Sequence, residues 1–373
     1  METALLNFWA TYKTQLVFAG DTILKVLVFL NGIMGFTALL TLGERKISAL
    51  MQDRIGPNRA SIFGFSLGGL FHPVADGIKL LTKEDFVPAK ADRFFFTLAP
   101  IVGLLSVLTC FAFIPFGDHI NIFGYRMRLL IADIDSSLFL ILAVSSLAIY
   151  APFMGGYFSG NNFAVLGAMR AAAQMISYEA VLGLSLIPMV MIYSSGSLSE
   201  IAVKQGELIF GFLPAWGIFI QPLAFLLFLA AAVAENKRTP FDVVEGESEI
   251  VGYFIEYSSM RFGAFMFAEF IEIIFVSMMA VTFFLGSWQL PYLGPEGFSI
   301  PFSGLIKIPD IAISIIQMAA FAGKTAVFSV FLLIVRWTLP RMRFDQIMSF
   351  CWKFMLPLAL INIVITAMIL RSM

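Results

Sequence analysis

Eight apolar runs, each long enough to cross a lipid bilayer as a helix, constrain this chain more than any other feature. A spanning helix needs about 20 apolar residues. Because lipid offers the backbone no hydrogen-bond partners, only a helix or a closed barrel can satisfy its backbone groups inside the membrane. Only 13% of the 373 residues are charged, against about 25% in a soluble domain. We therefore expect an all-α polytopic membrane protein that forms a single membrane domain over residues 1–373. The expected spans are residues 21–42, 94–116, 138–158, 176–193, 209–233, 262–288, 311–337 and 354–370.

The distribution of lysine and arginine predicts the orientation of these spans. Residues 43–93, the first loop, carry eight basic residues, and further basic residues lie in the third, fifth and seventh loops. The even-numbered loops carry only Arg126, Arg128, Lys204 and Lys307. Since basic loops stay in the cytoplasm, the odd-numbered loops are expected there and both termini on the opposite side. The N-terminus has no basic region before its apolar residues, so we expect no cleavable signal peptide.

The first loop contains two features of its own. Residues 62–83 are apolar and glycine-rich and then amphipathic, which favours an interfacial amphipathic segment over the alternative of a solvated loop. Upstream, Gly56-Pro57-Asn58 is a turn signal that should end a first helix projecting past the membrane surface. Arg45 and Arg54 would then bind a polar head group or a partner protein, or only anchor the cytoplasmic side.

The fifth loop, residues 234–261, is acidic although it lies between two apolar runs. Residues 234–257 carry only two basic residues, Lys237 and Arg238. The same segment carries the carboxylates of Glu235, Asp242, Glu245, Glu247, Glu249 and Glu256. Neighbouring carboxylates titrate as a coupled unit with one raised pKa. We interpret this loop as a segment that holds, passes or senses protons or a polar ligand. The alternative is a solvated acidic loop.

Ionisable residues also lie within or at the ends of the apolar runs. They are Glu179, Glu235, Glu269, Glu272 and Lys324. A charge in hydrocarbon is costly, so each of these side chains should face an interior cavity or a partner. Together they predict a polar path through the bundle. For a single residue the alternative is an isolated ion pair, such as Glu272 with Lys324.

The chain has few residues that could hold a redox group. Cys110 and Cys351 are its only cysteines, whereas an iron–sulfur cluster needs about four thiolates. The only histidines, His72 and His119, fall in loops on opposite sides, which argues against haem. No glycine-rich phosphate loop is present. We expect no metal and no redox cofactor on this chain alone, so that any electrons must come from a partner.

Five motifs in a fixed order resemble those of one known family. They are GERKISALMQDRIGPNR, VADGIKLLTKED, GAMRAAAQMISYEA, LAAAVAENKRTPFDVVEGESEIVGYFIEY and RWTLPRMRFDQIM. This pattern is similar to the respiratory complex I family that comprises the H subunit of bacterial NADH-quinone oxidoreductase and subunit 1 of mitochondrial NADH dehydrogenase. The resemblance runs from about residue 16 to residue 370.

The resemblance implies a subunit that frames a lateral quinone opening and begins an acidic proton-coupling path beside the peripheral arm. The implied quinone-binding residues are Glu44, Arg45, Arg54, Asp76, Lys79 and Phe241. With the carboxylates of the spans, the coupling path would comprise Glu179, Glu235, Asp242, Glu245, Glu247, Glu249, Glu269, Glu272 and Lys324. The implied docking surface comprises Arg238, Arg341, Arg343 and Asp345.

The resemblance also implies partners and a location. NADH, FMN and iron–sulfur clusters would belong to peripheral subunits, with quinone as the substrate of a shared site. Small membrane subunits and antiporter-like subunits would be neighbours in the bacterial inner membrane. Two positions depart from the family pattern: His72 stands where Gln usually precedes Pro73, and Gly156-Tyr157 stands where Gly-Trp is common. The residues leave open ubiquinone or menaquinone, proton or sodium coupling, and the electron donor.

Three alternatives remain at the level of the sequence. The chain could be the equivalent subunit of an energy-converting hydrogenase or of a ferredoxin- or F420-linked complex. It could be a stand-alone ion-coupled transporter, although that class predicts inverted repeats and no convincing repeat relates the two halves. It could also be an assembly anchor whose charges are incidental.

Overall fold

The fold is dominated by long apolar helices. The computed structural model describes residues 2–62, 64, 66–122, 125–209, 213–243, 252–294, 297–300 and 304–372. Within these residues seven helices are long and apolar enough to cross a membrane, and an eighth, Pro222–Glu235, is apolar but shorter. The seven are Gly20–Met51, Arg93–Phe113, Ser137–Tyr157, Asn162–Tyr193, Ser259–Phe284, Asp310–Thr338 and Phe344–Ser372. The protein is an all-α polytopic membrane protein, and the predicted fold class is confirmed.

Several of these spans consist of more than one element. The helices are α1 (Glu2–Met51), α2 (His72–Thr82), α3 (Arg93–Cys110), α4 (Ser137–Ser145), α5 (Tyr150–Tyr157), α6 (Asn162–Tyr193), α7 (Leu198–Lys204), α8 (Gly217–Ile220), α9 (Pro222–Glu235), α10 (Ser259–Phe284), α11 (Asp310–Thr338), α12 (Phe344–Phe350) and α13 (Leu356–Ser372). Short 3-10 turns at Phe111–Phe113, Ser146–Ile149 and Tyr253–Glu256 and a π-helical turn at Cys351–Met355 extend or join them.

Short antiparallel strands fill the loops at one end of the bundle. They are β1 (His119–Ile122), β2 (Tyr125–Arg128), β3 (Leu208–Ile209), β4 (Leu213–Pro214), β5 (Leu293–Gly294), β6 (Gly297–Ile300) and β7 (Gly304–Lys307). They pair as β1–β2, β3–β4 and β5–β6–β7. Residues from all three of these loops line one cavity of about 430 Å³, so the second, fourth and sixth loops meet at the same end. We call this end the strand end and the opposite one the α2 end.

Helix α1 ends before the predicted turn rather than at it. Its last helical residue is Met51, and Asp53 follows in the left-handed conformation with φ 51°, which aspartate tolerates better than most residues. The Lys46 ammonium then binds the Asn58 side chain, which folds the turn back against the helix. Because α1 continues to Met51, its last turns extend past the apolar run that ends at residue 42.

Helix α2 presents different residues to its two sides. Val74, Ile78 and Leu81 are 54%, 57% and 68% exposed, and residues at this spacing share one face. The other face packs against α1 and α10. An outward apolar stripe on a short helix is typical of an interfacial segment. The segment expected over residues 62–83 is helical only from His72 to Thr82.

The fifth apolar run, expected as one helix over residues 209–233, is interrupted. Pro222 has no backbone N–H and begins α9, and Gln221 before it is not helical (φ −133°, ψ 65°). With 14 residues, α9 is about 21 Å long, shorter than the hydrocarbon core of about 30 Å. Residues 213–214 pair instead with residues 208–209. Irregular backbone at this depth requires cover from protein, and the neighbouring Ala215 and Gly217 are buried.

Helix α10 is at the centre of the bundle. Every residue from Phe270 to Phe284 is buried, and α10 packs against α3, α11, α1 and α2. Ser277 and Ser329 join α10 to α11 by a hydroxyl–hydroxyl bond of 2.9 Å. A helix buried on all sides can carry ionisable groups only where neighbours satisfy them. The carboxylates of α10 therefore indicate that polar groups lie next to this helix inside the bundle.

We expect Gly156→Ala to destabilise the bundle, because α5 meets α6 at this glycine. A Cβ at Gly156 would lie 2.3 Å from the Cβ of Ala168 and 2.6 Å from the Ala164 carbonyl oxygen. Overpacking of this kind costs about 1–3 kcal/mol, which should lower the unfolding temperature of the purified protein in detergent. Gly183→Ala is the control, because its Cβ would meet only Leu142 at 3.5 Å. Equal unfolding temperatures for the two variants would contradict this packing.

Candidate functional site

A cavity of about 290 Å³ opens at the α2 end of the bundle, between α1, α2 and α10. Its wall from α10 is apolar and partly aromatic, and its wall from α1 and α2 is mostly polar. The lining residues are Ala38, Thr41, Glu44, Arg45, Ser48, Pro73, Asp76, Gly77, Lys79, Leu80, Phe262, Gly263, Met266, Phe267, Phe270 and Trp337. Such a cavity suits an amphipathic ligand with a polar head and an apolar body.

Ion pairs fix the polar wall of this cavity. Arg45 Nη2 lies 2.7 Å from Asp76 Oδ2, which ties α1 to α2. Glu44 accepts two bonds of 3.1 Å from Arg238 Nη1 and a further bond from Arg336 at the end of α11. One carboxylate thus joins α1, the fifth loop and α11. Among the described residues Lys79 has no ion-pair partner, so its ammonium is available to a ligand.

Two of the six predicted quinone-binding residues lie outside the cavity lining. Arg54 is exposed beyond the end of α1 and donates to Gln52 Oε1 at 2.6 Å. Phe241 is 5% exposed and packs in the core, where its ring lies 5.5 Å from that of Tyr178. The buried Gln174 side chain holds this part of the fifth loop by donating 2.6 Å to the Phe241 carbonyl.

The four predicted docking residues lie in three different settings. Arg343 and Asp345 are exposed and pair with each other at 2.7 Å. Arg341 pairs at 2.8 Å with Asp242, whose side chain is 3% exposed. Arg238 is buried, since its guanidinium binds Glu44 and lies 5.1 Å over the Phe270 ring centroid. It therefore lies behind the cavity wall, in contact with two of the lining residues, Glu44 and Phe270.

Buried ionisable groups collect beneath the cavity. A small void of about 20 Å³ is lined by Lys237, Tyr253, Glu269 and Glu272, which is enough room for one water molecule. Lys237 Nζ lies 3.4 Å from the Tyr253 hydroxyl. Burial by itself lowers the pKa of the Lys237 ammonium, but Tyr253, Glu272 and Glu269 outweigh it, and the pKa lies above its ordinary value. The ammonium therefore stays charged among the carboxylates.

A second void, of about 10 Å³, continues toward α6. Glu235, the last residue of α9, lines it together with Ser145. The Ser145 hydroxyl donates to the Leu142 carbonyl at 3.0 Å and lies close to Glu179 on α6. Glu235 and Glu272 are 9% and 8% exposed, and both Glu272 and Glu179 act electrostatically on Glu235. The carboxylates of α10, α9 and α6 thus form one interior group.

The structure describes three of the six predicted carboxylates of the fifth loop: Glu235, Asp242 and Glu256. Glu245, Glu247 and Glu249 lie outside the described residues. Of the other acids of the fifth loop, Asp242 pairs with Arg341. Glu256 accepts a bond of 2.6 Å from Asn161, the residue that caps α6.

Lys324 is not part of the interior carboxylate group. Its Nζ donates to the backbone carbonyls of Leu285, Ser287 and Gln289 at 2.7, 3.0 and 2.7 Å. Both Lys324 and Glu272 are described, and they form no ion pair with each other. The alternative of an isolated Glu272–Lys324 pair is therefore wrong.

The structure adds residues to the candidate site that the sequence did not single out. Arg336 lies in the RWTLPRMRFDQIM motif and binds Glu44. Trp337, Met266 and Phe262 line the cavity. Asn236 is buried beside Glu235, and neither polar atom of its amide has a partner among the described residues. Arg336, Trp337 and Asn236 stand within the quoted motifs, which was the only signal for them. Phe262 and Met266 lie beyond the motif that ends at Tyr257 and carried no signal.

A helical bundle with an amphipathic cavity at one end and carboxylates buried below it defines a polytopic membrane protein with a candidate ligand site beside buried charges. The model of the family described as NADH dehydrogenase matches residues 24–367. The chain belongs to the NADH dehydrogenase family, which confirms the resemblance predicted from its motifs.

Named relatives agree with this assignment. The H subunit of NADH-quinone oxidoreductase from Thermomicrobium roseum is 45% identical over 346 residues, 92% of this chain and 94% of that protein. The H 1 subunit of the same enzyme from Geobacter metallireducens is 43% identical over 347 residues, 93% of this chain and 95% of that protein. The H 1 subunit from Cytophaga hutchinsonii is 40% identical over 327 residues, 87% and 90% of the two chains. Each covers nearly the whole length of both chains.

Proposed function

We propose that this chain is a membrane subunit of an NADH-quinone oxidoreductase, the complex for which its relatives are named. In it the 290 Å³ cavity is the membrane-side part of the quinone site, and the interior carboxylates begin the proton-coupling path. The observation that carries the proposal is the cavity itself, because it brings Glu44, Arg45, Asp76 and Lys79 together beside an aromatic wall.

The chemistry of the cavity fits a quinone. Phe262, Phe267 and Phe270 offer apolar and aromatic surface to a flat ring. Arg45 and Lys79 offer N–H donors to ring carbonyls, and such donors stabilise the negative charge that develops on reduction. The exposed apolar stripe of α2 lies on the other side of the same helix. A quinone dissolved in the bilayer would therefore enter sideways, past α2.

The interior carboxylates support the coupling part of the proposal. A change of charge at the cavity acts first on Arg238 and Glu44, and Arg238 is also close enough to act on Glu272. Glu272 in turn acts on Glu235, and Glu235 lies near Glu179. We include Asp242, Glu245, Glu247 and Glu249 in this path because of their place in the fifth-loop motif.

The proposal extends to orientation and partners. The α2 end carries the basic odd-numbered loops and would face the cytoplasm of a bacterium, with the strand end on the other side of its inner membrane. Exposed Arg343 and Asp345 would contribute to docking of the peripheral arm. That arm would supply electrons from NADH through FMN and iron–sulfur clusters. Small membrane subunits and antiporter-like subunits would receive the coupling signal.

Met266→Trp tests the cavity. Met266 lines it on the α10 side, so a larger ring should obstruct the quinone and raise its KM by about tenfold, a loss of about 1.4 kcal/mol of binding. The measurement is steady-state NADH:quinone activity of the assembled complex, with NADH:ferricyanide activity as a check on the electron supply.

Met260→Trp is the matched control. Met260 lies on the same helix, is 45% exposed and does not line the cavity. We expect its quinone KM to equal that of the unmodified protein. An unchanged KM in Met266→Trp, in complex that assembles fully, would reject the cavity as the quinone site.

A further inference from the structure

Lys324 caps the end of another helix from the middle of its own. Its three N–H donors are taken by the carbonyls of Leu285, Ser287 and Gln289, which directly follow α10. Its ammonium also lies 4.5 Å from the ring centroid of Trp216. We call Lys324, Trp216 and these three carbonyls the Lys324 cap. A cation at the C-terminal end of a helix is favoured by the partial negative charge there.

The surroundings of the Lys324 cap are tightly packed. Gly286 has φ +73°, and a Cβ there would lie 2.2 Å from Trp216 Nε1. Gln205 is fully buried and holds the same turn, donating 2.7 Å to the Thr282 carbonyl and accepting 3.0 Å from the Gly286 N–H. Phe284 is fully buried at the end of α10. The Lys324 side chain itself is partly buried, and the turn that follows α10 is closely packed around the Trp216 ring.

The Lys324 cap lies between two polar regions. Toward the α2 end, Glu272 lies more than three turns earlier in α10, about 20 Å along the helix axis. Toward the strand end, the 430 Å³ cavity is lined by Trp288, which stands in the chain between Ser287 and Gln289. The cap thus separates this cavity from the part of the bundle that holds the carboxylates.

Close packing alone would be an incomplete barrier to protons. The hydroxyls of Ser287 and Thr325 are buried without partners among the described residues, and such groups can bind a water molecule. A fixed positive charge in a low-dielectric interior, however, repels protons and cations strongly. Because all three N–H groups of Lys324 are occupied, its ammonium is held in one place.

We propose that the Lys324 cap is an electrostatic seal against leakage of protons and cations between the interior carboxylates and the strand-end cavity. The inference rests on the proposed proton-coupling function, since the seal would stop protons held by the interior carboxylates from crossing to the strand end. It gives Lys324 an insulating role in place of the proton-carrying role that the sequence suggested.

Lys324→Gln tests the seal without any turnover. Glutamine keeps two N–H donors for the carbonyls but carries no charge. The assembled complex is placed in liposomes with an imposed pH gradient and no NADH, and the decay of the gradient is followed with a pH-sensitive dye. We expect the decay in Lys324→Gln to be about tenfold faster than in the unmodified protein, while Lys324→Arg and the exposed Lys307→Gln remain tight.

Lys324→His allows the charged and the neutral side chain to be compared in the same variant by changing the pH. Imidazole titrates at about pH 6.5, so its vesicles should be tight at lower pH, when the ring is charged, and leaky at higher pH. This variant gives the same comparison if Lys324→Gln does not assemble. Gradients that last as long in both variants as in the unmodified protein, at every pH, would overturn the seal.

The leak and the coupling proposal can fail separately. Lys324→Gln vesicles that are tight but no longer pump during NADH oxidation would overturn the seal and put Lys324 on the proton path. A leak in Lys324→Gln would support the seal. If variants that neutralise an interior carboxylate, such as Glu272→Gln, pump normally in the same experiment, the proposed proton path would be rejected although the seal stands.

Discussion

Glu44→Gln is expected to have the largest effect of any single change at the cavity, lowering quinone reduction by about tenfold or more. Its carboxylate balances two arginines, Arg238 and Arg336, whose side chains are 10% and 21% exposed. Removing the charge takes the Glu44 carboxylate away from both cations, and breaking a buried pair costs about 3–5 kcal/mol. The partial exposure of this cluster reduces that to about 2–3 kcal/mol.

The expected result has two parts that one preparation can measure. The amount of assembled complex should fall, because α1, the fifth loop and α11 lose their common partner. In the complex that does assemble, the quinone KM should rise while NADH:ferricyanide activity per complex stays normal. Glu44→Asp keeps the charge on a shorter side chain and should restore part of both.

Asp133→Asn is the matched control for Glu44→Gln. It also removes a carboxylate from an arginine, but Arg128 is 73% exposed and lies at the strand end. Exposed pairs contribute about 0–1 kcal/mol, so assembly and quinone KM should not change. Equal behaviour of Glu44→Gln and Asp133→Asn would show that Glu44 does not organise the cavity.

The spanning helices could be predicted from the sequence because lipid imposes a minimum apolar length on them. The apolar runs over residues 262–288 and 311–337 correspond to α10 and α11 with small shifts at their ends. The run over residues 209–233 does not form one helix, because the backbone is not helical at Gln221. Such a break is possible where the surrounding protein, and not lipid, contacts the backbone and supplies its hydrogen-bond partners. Apolar composition alone does not separate these two cases.

The cavity could be predicted only in part. The motifs pointed to Glu44 and Arg45 on α1 and to Asp76 and Lys79 on α2, and these four residues line it. Arg336 was missed because its partner, Glu44, stands 292 residues earlier, a separation over which a sequence gives no pairing signal.

Lys324 shows the same limit in another form. A lysine inside an apolar run needs a partner, and the only candidates visible in a sequence are acidic side chains. Its actual partners are backbone carbonyls, which every residue carries. Sequence reasoning could therefore predict that the Lys324 ammonium has hydrogen-bond partners inside the protein, but not which groups those partners are.

Glu272→Gln is expected to uncouple or stop proton translocation while leaving the complex assembled. Glu272 lines the 20 Å³ void together with Glu269 and Lys237. Glutamine has nearly the same shape, so the packing around α10 is preserved, but it cannot bind or release a proton. Loss of a proton-transfer group should lower the rate of pumping by about tenfold or more.

Two measurements on the same vesicles separate the possible outcomes. NADH oxidation reports quinone reduction, and dye quenching reports proton uptake. If the carboxylates are tightly coupled to quinone chemistry, both rates should fall together and the ratio of protons to electrons should stay constant in the remaining activity. If Glu272 only passes protons onward, quinone reduction should continue and the ratio should fall.

Glu207→Gln is the control for Glu272→Gln, because Glu207 is an exposed carboxylate in the loop between α7 and α8, at the strand end. Its removal changes the net charge by the same amount without touching the interior group, and both rates should be normal. Normal pumping and normal quinone reduction in Glu272→Gln as well would mean that this buried carboxylate carries no proton. The coupling path would then have to run through the acids of the fifth loop without α10.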